Sequence, residues 1–437
     1  MQPAEKETYM KSFSTARLAA ISSFGFTITL VTNILSPSIF GHKVLELASP
    51  NTHNTLLGYT TFAGALLSMF TLPLIGVLSD RTKTKYGQRL PFFLAGSLLL
   101  GANLFLIIYA RSAGMFFFGV VLYYITNDII FGPWMALYPD LVPHTQRGEA
   151  AGVRALLDIL ALIIGRQLAG QLIGQMDTLG QTALVIIISV PIVFMAFSLI
   201  VTWRVSRDIS FPHPPINQPP IAQALKNMYR VDLKTYPAFR WWFINRFFYW
   251  SAFNIMGTFL LFFIIDVLNL SEPEAQKYLA NLAMVIGISI LFIAIPAGKI
   301  ADRVGRKPIV IWSGIIAVLG TGYILIIRDL NLLMFGGLLI GASAGIYISS
   351  NFALITDIVP QDEAARYMGV AGIASAAGSA CARLMGAWII DPVNRLTGSS
   401  VSGYMALYAL AGVLYLFSVL AARELPAPQP QRSSEII

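Results

Sequence analysis

Charge is scarce in this chain. Only 12 % of its 437 residues are Asp, Glu, Lys or Arg, about half the share of an average soluble domain. Cysteine is scarcer still: Cys381 stands alone, so no intramolecular disulfide can form. Four histidines and one cysteine supply no metal-spaced cluster and no nucleophile with a base, so an enzyme is not expected, nor a metal or cofactor. No Gly-x-x-x-x-Gly-Lys-Ser/Thr run occurs, which removes the phosphate cradle of an ATP-driven machine. Residues 1–16 are polar and lead straight into a long apolar run, so no cleavable signal peptide is expected.

What the chain has instead is apolar length. It is 56 % hydrophobic with a mean hydropathy of +0.68. Runs of the roughly 20 residues needed to cross a bilayer recur throughout. Twelve are read, at 17–40, 54–79, 91–110, 114–138, 151–174, 182–203, 241–268, 277–298, 308–327, 331–356, 367–390 and 401–421. Strands of a membrane barrel alternate polar and apolar residues, and these runs do not, so they read as helices. The expected fold is an all-α membrane protein of twelve spanning helices.

The net charge of +8 suggests nucleic acid at first, but the positions of the charges argue against it. With the N-terminus placed in the cytoplasm, twenty-one of the 30 Lys and Arg fall on that side and five on the other. That asymmetry follows the positive-inside rule and puts both termini in the cytoplasm. The partner implied is a lipid bilayer: a bacterial inner membrane or a plasma membrane, with the short loops leaning toward the former. The one long polar stretch, 204–240, is proline-rich at 211–220 and separates an N-terminal bundle (1–203) from a C-terminal one (241–424). Within it, 221–235 has the makings of a short surface helix. Residues 425–437 read as a disordered tail.

A charged loop occurs twice. Gly76, Asp80 and Arg81 are followed by Gly87, Arg89 and Pro91; Gly298, Asp302 and Arg303 are followed by Gly305, Arg306 and Pro308. Asp80 and Asp302 lie 222 residues apart, about half the chain. A second repeat agrees: Asp140 and Pro143, then Arg147, correspond to Asp357 and Pro360, then Arg366, and the two aspartates are 217 apart. Two six-helix halves related by duplication are the architecture of many transporters.

These loops resemble the signature of the major facilitator superfamily. The longer first copy, together with Gly132, Pro133, Trp134, Ala136, Leu137, Pro139, Asp140 and Leu141, is similar to the glycoside–pentoside–hexuronide:cation symporters and the plant-type sucrose transporters. The resemblance implies secondary transport of a small-molecule sugar or glycoside by alternating access. It assigns Asp80, Arg81, Arg89, Asp302, Arg303 and Arg306 to gating between the two halves. Sodium-coupled relatives place a carboxylate in the second span, and none occurs between Asn54 and Ser79; H+ is therefore the expected coupling cation. The relatives' aspartate two residues before the proline is Phe131 here, and the sucrose transporters' arginine is Met135.

An ionisable group at mid-bilayer costs at least about 3 kcal/mol, so each needs a reason. Asp128 in the fourth span is the expected proton carrier, against the alternative of neutralising an arginine. Arg154 and Asp158 are one turn apart in the fifth span, where they either bind substrate or cation or pair with each other. Arg166, deeper in that span, and Arg383 in the eleventh present guanidinium forks to substrate or to Asp128. Arg246 reads as an anchor near the cytoplasmic end. Tyr124 and Trp134 are expected to stack on a sugar's C–H face, with Tyr123, Tyr249, Trp250 and Trp388 as further aromatics, and Asn127 and Asn33 to bond its hydroxyls. Two other functions stay open on the sequence: an exporter or uniporter of an amphipathic lipid or drug, and a non-transporting membrane receptor or assembly factor.

Overall fold

The computed structural model describes residues 13–84, 87–206, 219–229, 237–358 and 364–425; the side chains of Asp357 and Arg366, among others, lie outside the described ones. Most of the proline-rich linker and of the expected disordered tail lies outside the described residues. Eleven helices are long and apolar enough to span a membrane, and a bent pair makes a twelfth. The first six are α1 (Thr15–Leu47), α2 (His53–Arg81), α3 (Leu90–Ile108), α4 (Ala113–Leu141), α5 (Arg147–Ile173) and α6 (Gln181–Ser206). The linker contributes a short helix, Ile221–Tyr229. Then follow α7 (Pro237–Thr258, continuing as Leu260–Leu268 after a 51° bend), α8 (Glu272–Val304), α9 (Arg306–Ile326), α10 (Leu330–Ile358), α11 (Ala364–Thr397) and α12 (Ser402–Arg423).

Local chemistry sets the ends of these helices. Ser112 accepts from the backbone of Met115 at the start of α4, and Ser271 forms a capping box with Glu274 at the start of α8. Gly305, at φ 98, makes the sharp corner between α8 and α9, where a side chain would be strained. Leu98, Phe292, Leu319 and Ile326 stand exposed on the outside, an apolar surface that water disfavours and lipid accepts.

The packing repeats with the sequence. α1 packs on α5 and α6 as α7 packs on α11 and α12; α2 and α3 pack on α4 as α8 and α9 pack on α10. Across the halves α2 meets α11 and α5 meets α8, again related by a shift of six helices. Both crossings lie toward the end of the molecule opposite the linker, hereafter the far end. At one, a Cβ on Gly58 would sit 2.6 Å from the carbonyl oxygen of Arg383 and 2.6 Å from the Cβ of Ala387. At the other, a Cβ on Gly170 would sit 2.6 Å from the carbonyl oxygen of Gln276 and 2.6 Å from the Cβ of Ala280. The two backbones can approach this closely only because both positions are glycine.

Candidate functional site: buried charges between two six-helix halves

The site is built chiefly on α4. Tyr124, Asn127, Asp128 and Phe131 recur at helical spacing, so one face of the helix carries all four. Asp128 is 3 % exposed. Its Oδ1 accepts from Ser68 Oγ at 2.9 Å, and its Oδ2 accepts from Thr71 Oγ1. Both hydroxyls come from α2, and Asp128 makes no ion pair among the described residues. A buried carboxylate held by two hydroxyls and no cation can gain or lose a proton without breaking a salt bridge.

Around it the side chains divide. Tyr124 lies edge-on to Tyr123, with ring centroids 5.4 Å apart, and against Gly64 of α2. The guanidinium of Arg383 lies 5.9 Å from the Tyr124 ring, joining α11 to α4 across the halves. Tyr123 shares a 2.9 Å hydrogen bond with Thr32 of α1. The Oδ1 of Asn127 is buried without a partner, and so is Nη1 of Arg166. Buried polar atoms rarely stay unpaired unless a ligand or water completes them.

Other expected site residues pack into the scaffold. Trp134 is 1 % exposed, donates to the Ile21 carbonyl at 3.1 Å and lies against Gly25. The Arg154 guanidinium sits 4.5 Å over its ring and 3.5 Å from Asp158, which also accepts from Thr29 at 3.0 Å. Asn33 turns back to the Thr29 carbonyl of its own helix, at 2.9 Å. Tyr249 stacks on Tyr347 at 3.5 Å. Trp388 is 58 % exposed and donates to Tyr59 at 2.9 Å. Arg246 reaches inward instead of lying along the membrane edge: its fork donates to Asn351 at 2.7 Å, Ser375 at 2.8 Å and the Ala371 carbonyl at 3.2 Å. The indole nitrogen of Trp250, beside it, is buried with no partner.

The loop charges at the linker end are placed unevenly. Arg89 is 5 % exposed and pairs with Asp80 at 2.5 Å and Asp140 at 3.0 Å. Asp140 lies beyond the apolar stretch, and burial pushes its carboxyl above the usual range against the pull of Arg89. Arg81 donates to the Pro219 carbonyl at 2.5 Å, tying α2 to the linker. Asp302 is 3.8 Å from Arg306 and mostly exposed, and Arg303 is exposed as well.

A second polar cluster, not expected from the sequence, joins the halves at the far end. Asp391 of α11 accepts from Asn54 Nδ2 at 2.9 Å, and from the backbone nitrogen and hydroxyl of Thr55 at 2.7 Å each. It thereby caps the positive end of α2. Tyr404 donates to Asp266 at 2.5 Å and accepts from Asn54 at 2.9 Å, and His53 lies 3.2 Å from Asp266. The signal available was the polar triplet 53–55 opening an apolar run. The two acids lie near run ends, where a charge ordinarily meets water.

Twelve apolar helices in two repeated halves, with buried charge between them, define a membrane transporter. The family profile described as MFS/sugar transport protein matches residues 20–422, and the chain belongs to that family. It is 27 % identical to sucrose transport protein SUC4 of Arabidopsis thaliana over 161 residues, 33 % of this chain and 30 % of that protein. It is 34 % identical to the minor myo-inositol transporter IolF of Bacillus subtilis over 92 residues, 21 % of each chain. These matches therefore span a third or less of the relatives' length. Among solved structures, the fold is similar to an inward-facing, occupied bacterial homolog of the human lysosomal transporter Spinster, with TM-score 0.69 and 15 % identity over 95 % of this chain and 98 % of that one. It is also similar to a peptide transporter, with TM-score 0.70 and 12 % identity over 97 % of this chain and 99 % of that one.

Proposed function

We propose that this protein moves a sugar or glycoside across the membrane by alternating access, driven by protons. The observation that carries the proton is Asp128, buried between α2 and α4 with hydroxyl partners alone. When ionised it accepts from both Ser68 and Thr71. When protonated it must donate, so one hydroxyl turns and accepts. That exchange changes the contact between α4 and α2, the helix whose far end carries Gly58 and is capped by Asp391. Proton binding is thereby linked to the crossing that closes the far end.

The positive-inside asymmetry assigns the linker end to the cytoplasm, which makes the arrangement of contacts an inward-facing one. The sucrose and myo-inositol transport named for the relatives supports a polyol cargo. Both termini are then cytoplasmic, and Asp80, Arg89 and Asp140 brace the N-terminal half at its cytoplasmic gate. The test is Asp128→Asn in proteoliposomes. Substrate-driven alkalinisation should vanish while substrate exchange without a proton gradient persists. Undiminished proton movement in the variant would remove Asp128 from the mechanism.

A further inference from the structure

Two of the four histidines join the halves at the far end. Nδ1 of His42 lies 2.8 Å from Glu272, and Nε2 of His53 lies 3.2 Å from Asp266. His42 stands in the stretch Phe40–Leu47 that ends α1 after a kink at Ser36, and Glu272 opens α8. Asp266 stands in the stretch Leu260–Leu268 that ends α7 after its 51° bend, and His53 opens α2. The repeat relates α1 to α7 and α2 to α8, so it carries one pair onto the place of the other. The chemistry is reversed between them. Both histidines belong to the N-terminal half and both carboxylates to the C-terminal half.

The pairs are partly shielded and still within reach of water. His53 is buried and His42 half-buried, while Asp266 and Glu272 keep 20 % and 26 % of their side chains exposed. The His53 ring packs on Phe262, with centroids 4.5 Å apart, and its Nε2 is 3.3 Å from the Tyr404 hydroxyl. Asp391 of α11, Asn54, Tyr404 of α12 and Asp266 of α7 form one hydrogen-bonded chain beside it, with a carboxylate at each end. His53 is the group at that chain able to carry positive charge. Around His42, Lys43 on its own helix is taken up by Glu46 at 2.6 Å. On α8, Glu274 is held by Ser271, and Lys277 lies against Gly174 of α5. Among the described residues, the ion-pair partner of Glu272 is His42.

We infer that His42 and His53 are proton-binding groups of the far-end gate, separate from Asp128, which lock it in acid and release it as the pH rises. The lock rests on the alternating-access reading and adds a control to it. Histidine is the side chain whose charge ordinarily changes between about pH 5 and pH 8. A protonated imidazole donates to its carboxylate in a charge-assisted hydrogen bond, roughly twice as strong as a neutral one. Opening the far end draws histidine and carboxylate apart, because they stand on opposite halves. Closure therefore binds protons. Acid raises the closed fraction, and base raises the open one.

The test uses the full-length protein in nanodiscs with Cys381→Ser, carrying either Asp128 or Asp128→Asn. Spin labels at the far ends of α2 and α11, and of α5 and α8, read the open fraction. From about pH 5 to about pH 8 the open-to-closed ratio should rise about fivefold for each pair, the upper range for a partly shielded ion pair. His42→Gln and His53→Gln keep a hydrogen-bond donor, and each should remove one such step in both Asp128 backgrounds. The double histidine variant should lose both steps. Glu272→Gln should remove the same step as His42→Gln, and nothing further when combined with it. If His53→Gln failed to fold, the cycle at the more exposed His42–Glu272 pair would still decide. A pH response unchanged in the double variant, or a His42 step that survives the loss of Glu272, would overturn the lock. A far end that opens without regard to pH would also overturn it and leave alternating access standing. A far end closed at every pH in every variant would end both readings.

Discussion

The two helix crossings that join the halves share one backbone geometry and carry different side chains. Gly58 on α2 meets Ala387 on α11, and Gly170 on α5 meets Ala280 on α8, with the same two 2.6 Å approaches. The repeat relates them: 222 residues separate Gly58 from Ala280, and 217 separate Gly170 from Ala387. The glycine has simply changed sides. The polar dressing, however, is asymmetric. Asn54 corresponds to Gln276, and both are buried amides, yet Asn54 meets the carboxylate of Asp391 and the hydroxyl of Tyr404 while Gln276 donates to the Ser38 carbonyl at 3.2 Å.

The comparison separates two tasks. Close approach of the helices is common to both crossings and comes from a missing Cβ. At the α2–α11 crossing Asp391 caps a helix that also bears Ser68 and Thr71, the partners of Asp128, whereas the charges beside the α5–α8 crossing, Lys277 and the His42–Glu272 pair, sit on helices that carry no partner of Asp128 among the described residues. On the proposed reading, the α2–α11 crossing is linked to Asp128 through α2, and the α5–α8 crossing has no such link.

The sharpest way to break the comparison is to restore the missing Cβ. Gly58→Val and Gly170→Val each drive a methyl-bearing carbon onto a carbonyl oxygen that cannot swing away, costing about 1–3 kcal/mol. Two states separated by a few kcal/mol would then change places. With Cys381→Ser as background, spin labels at the far ends of α2 and α11, and of α5 and α8, should move apart in both variants and furthest in the double variant. Unaltered label distances in both would mean the crossings do not hold the far end closed.

Next in size comes the asymmetry itself. Asp391→Asn turns one of two acceptors into a donor facing Thr55 or Asn54, which leaves buried groups unpaired and costs about 2 kcal/mol. Gln276→Ala at the other crossing removes one neutral bond and costs about 1 kcal/mol. Asp391→Asn should also change the pH dependence of transport, and Gln276→Ala should not. Equal effects on that profile would show that the carboxylate has no privileged link to Asp128.

The architecture was legible because membrane helices leave long apolar runs, and because the repeated Asp–Arg loops fix how one half maps on the other. Asp128, Arg166 and Arg383 were legible for a related reason: a charge in mid-run has no cheap place to go. The bend after Thr258 was not, since α7 stays apolar throughout and has no proline at the break. Nor was the far-end cluster. Asp266 and Asp391 sit near run ends, where sequence cannot tell a solvated charge from a partnered one, and Asn54 and Asp391 are 337 residues apart. Trp134 illustrates a third limit, because spacing put it on α4 but only packing shows it enclosed by Gly25 and Arg154.

The smallest expected effect lies at the rims, where both crossings again carry a matching kind of contact. Trp388 donates to Tyr59 beside the first crossing, and Gln167 donates to Asn281 at 3.3 Å beside the second. Trp388 and Tyr59 are 58 % and 42 % exposed, so water can replace the hydrogen bond on either side. Trp388→Phe and Asn281→Ala should each change stability by less than about 0.5 kcal/mol, as surface substitutions away from buried features do. A melting-temperature series that includes Asp391→Asn supplies the scale. If Trp388→Phe fell as far as Asp391→Asn, the weight of the first crossing would lie in its exposed aromatic rim, and the buried cap would lose its claim to be what distinguishes the two.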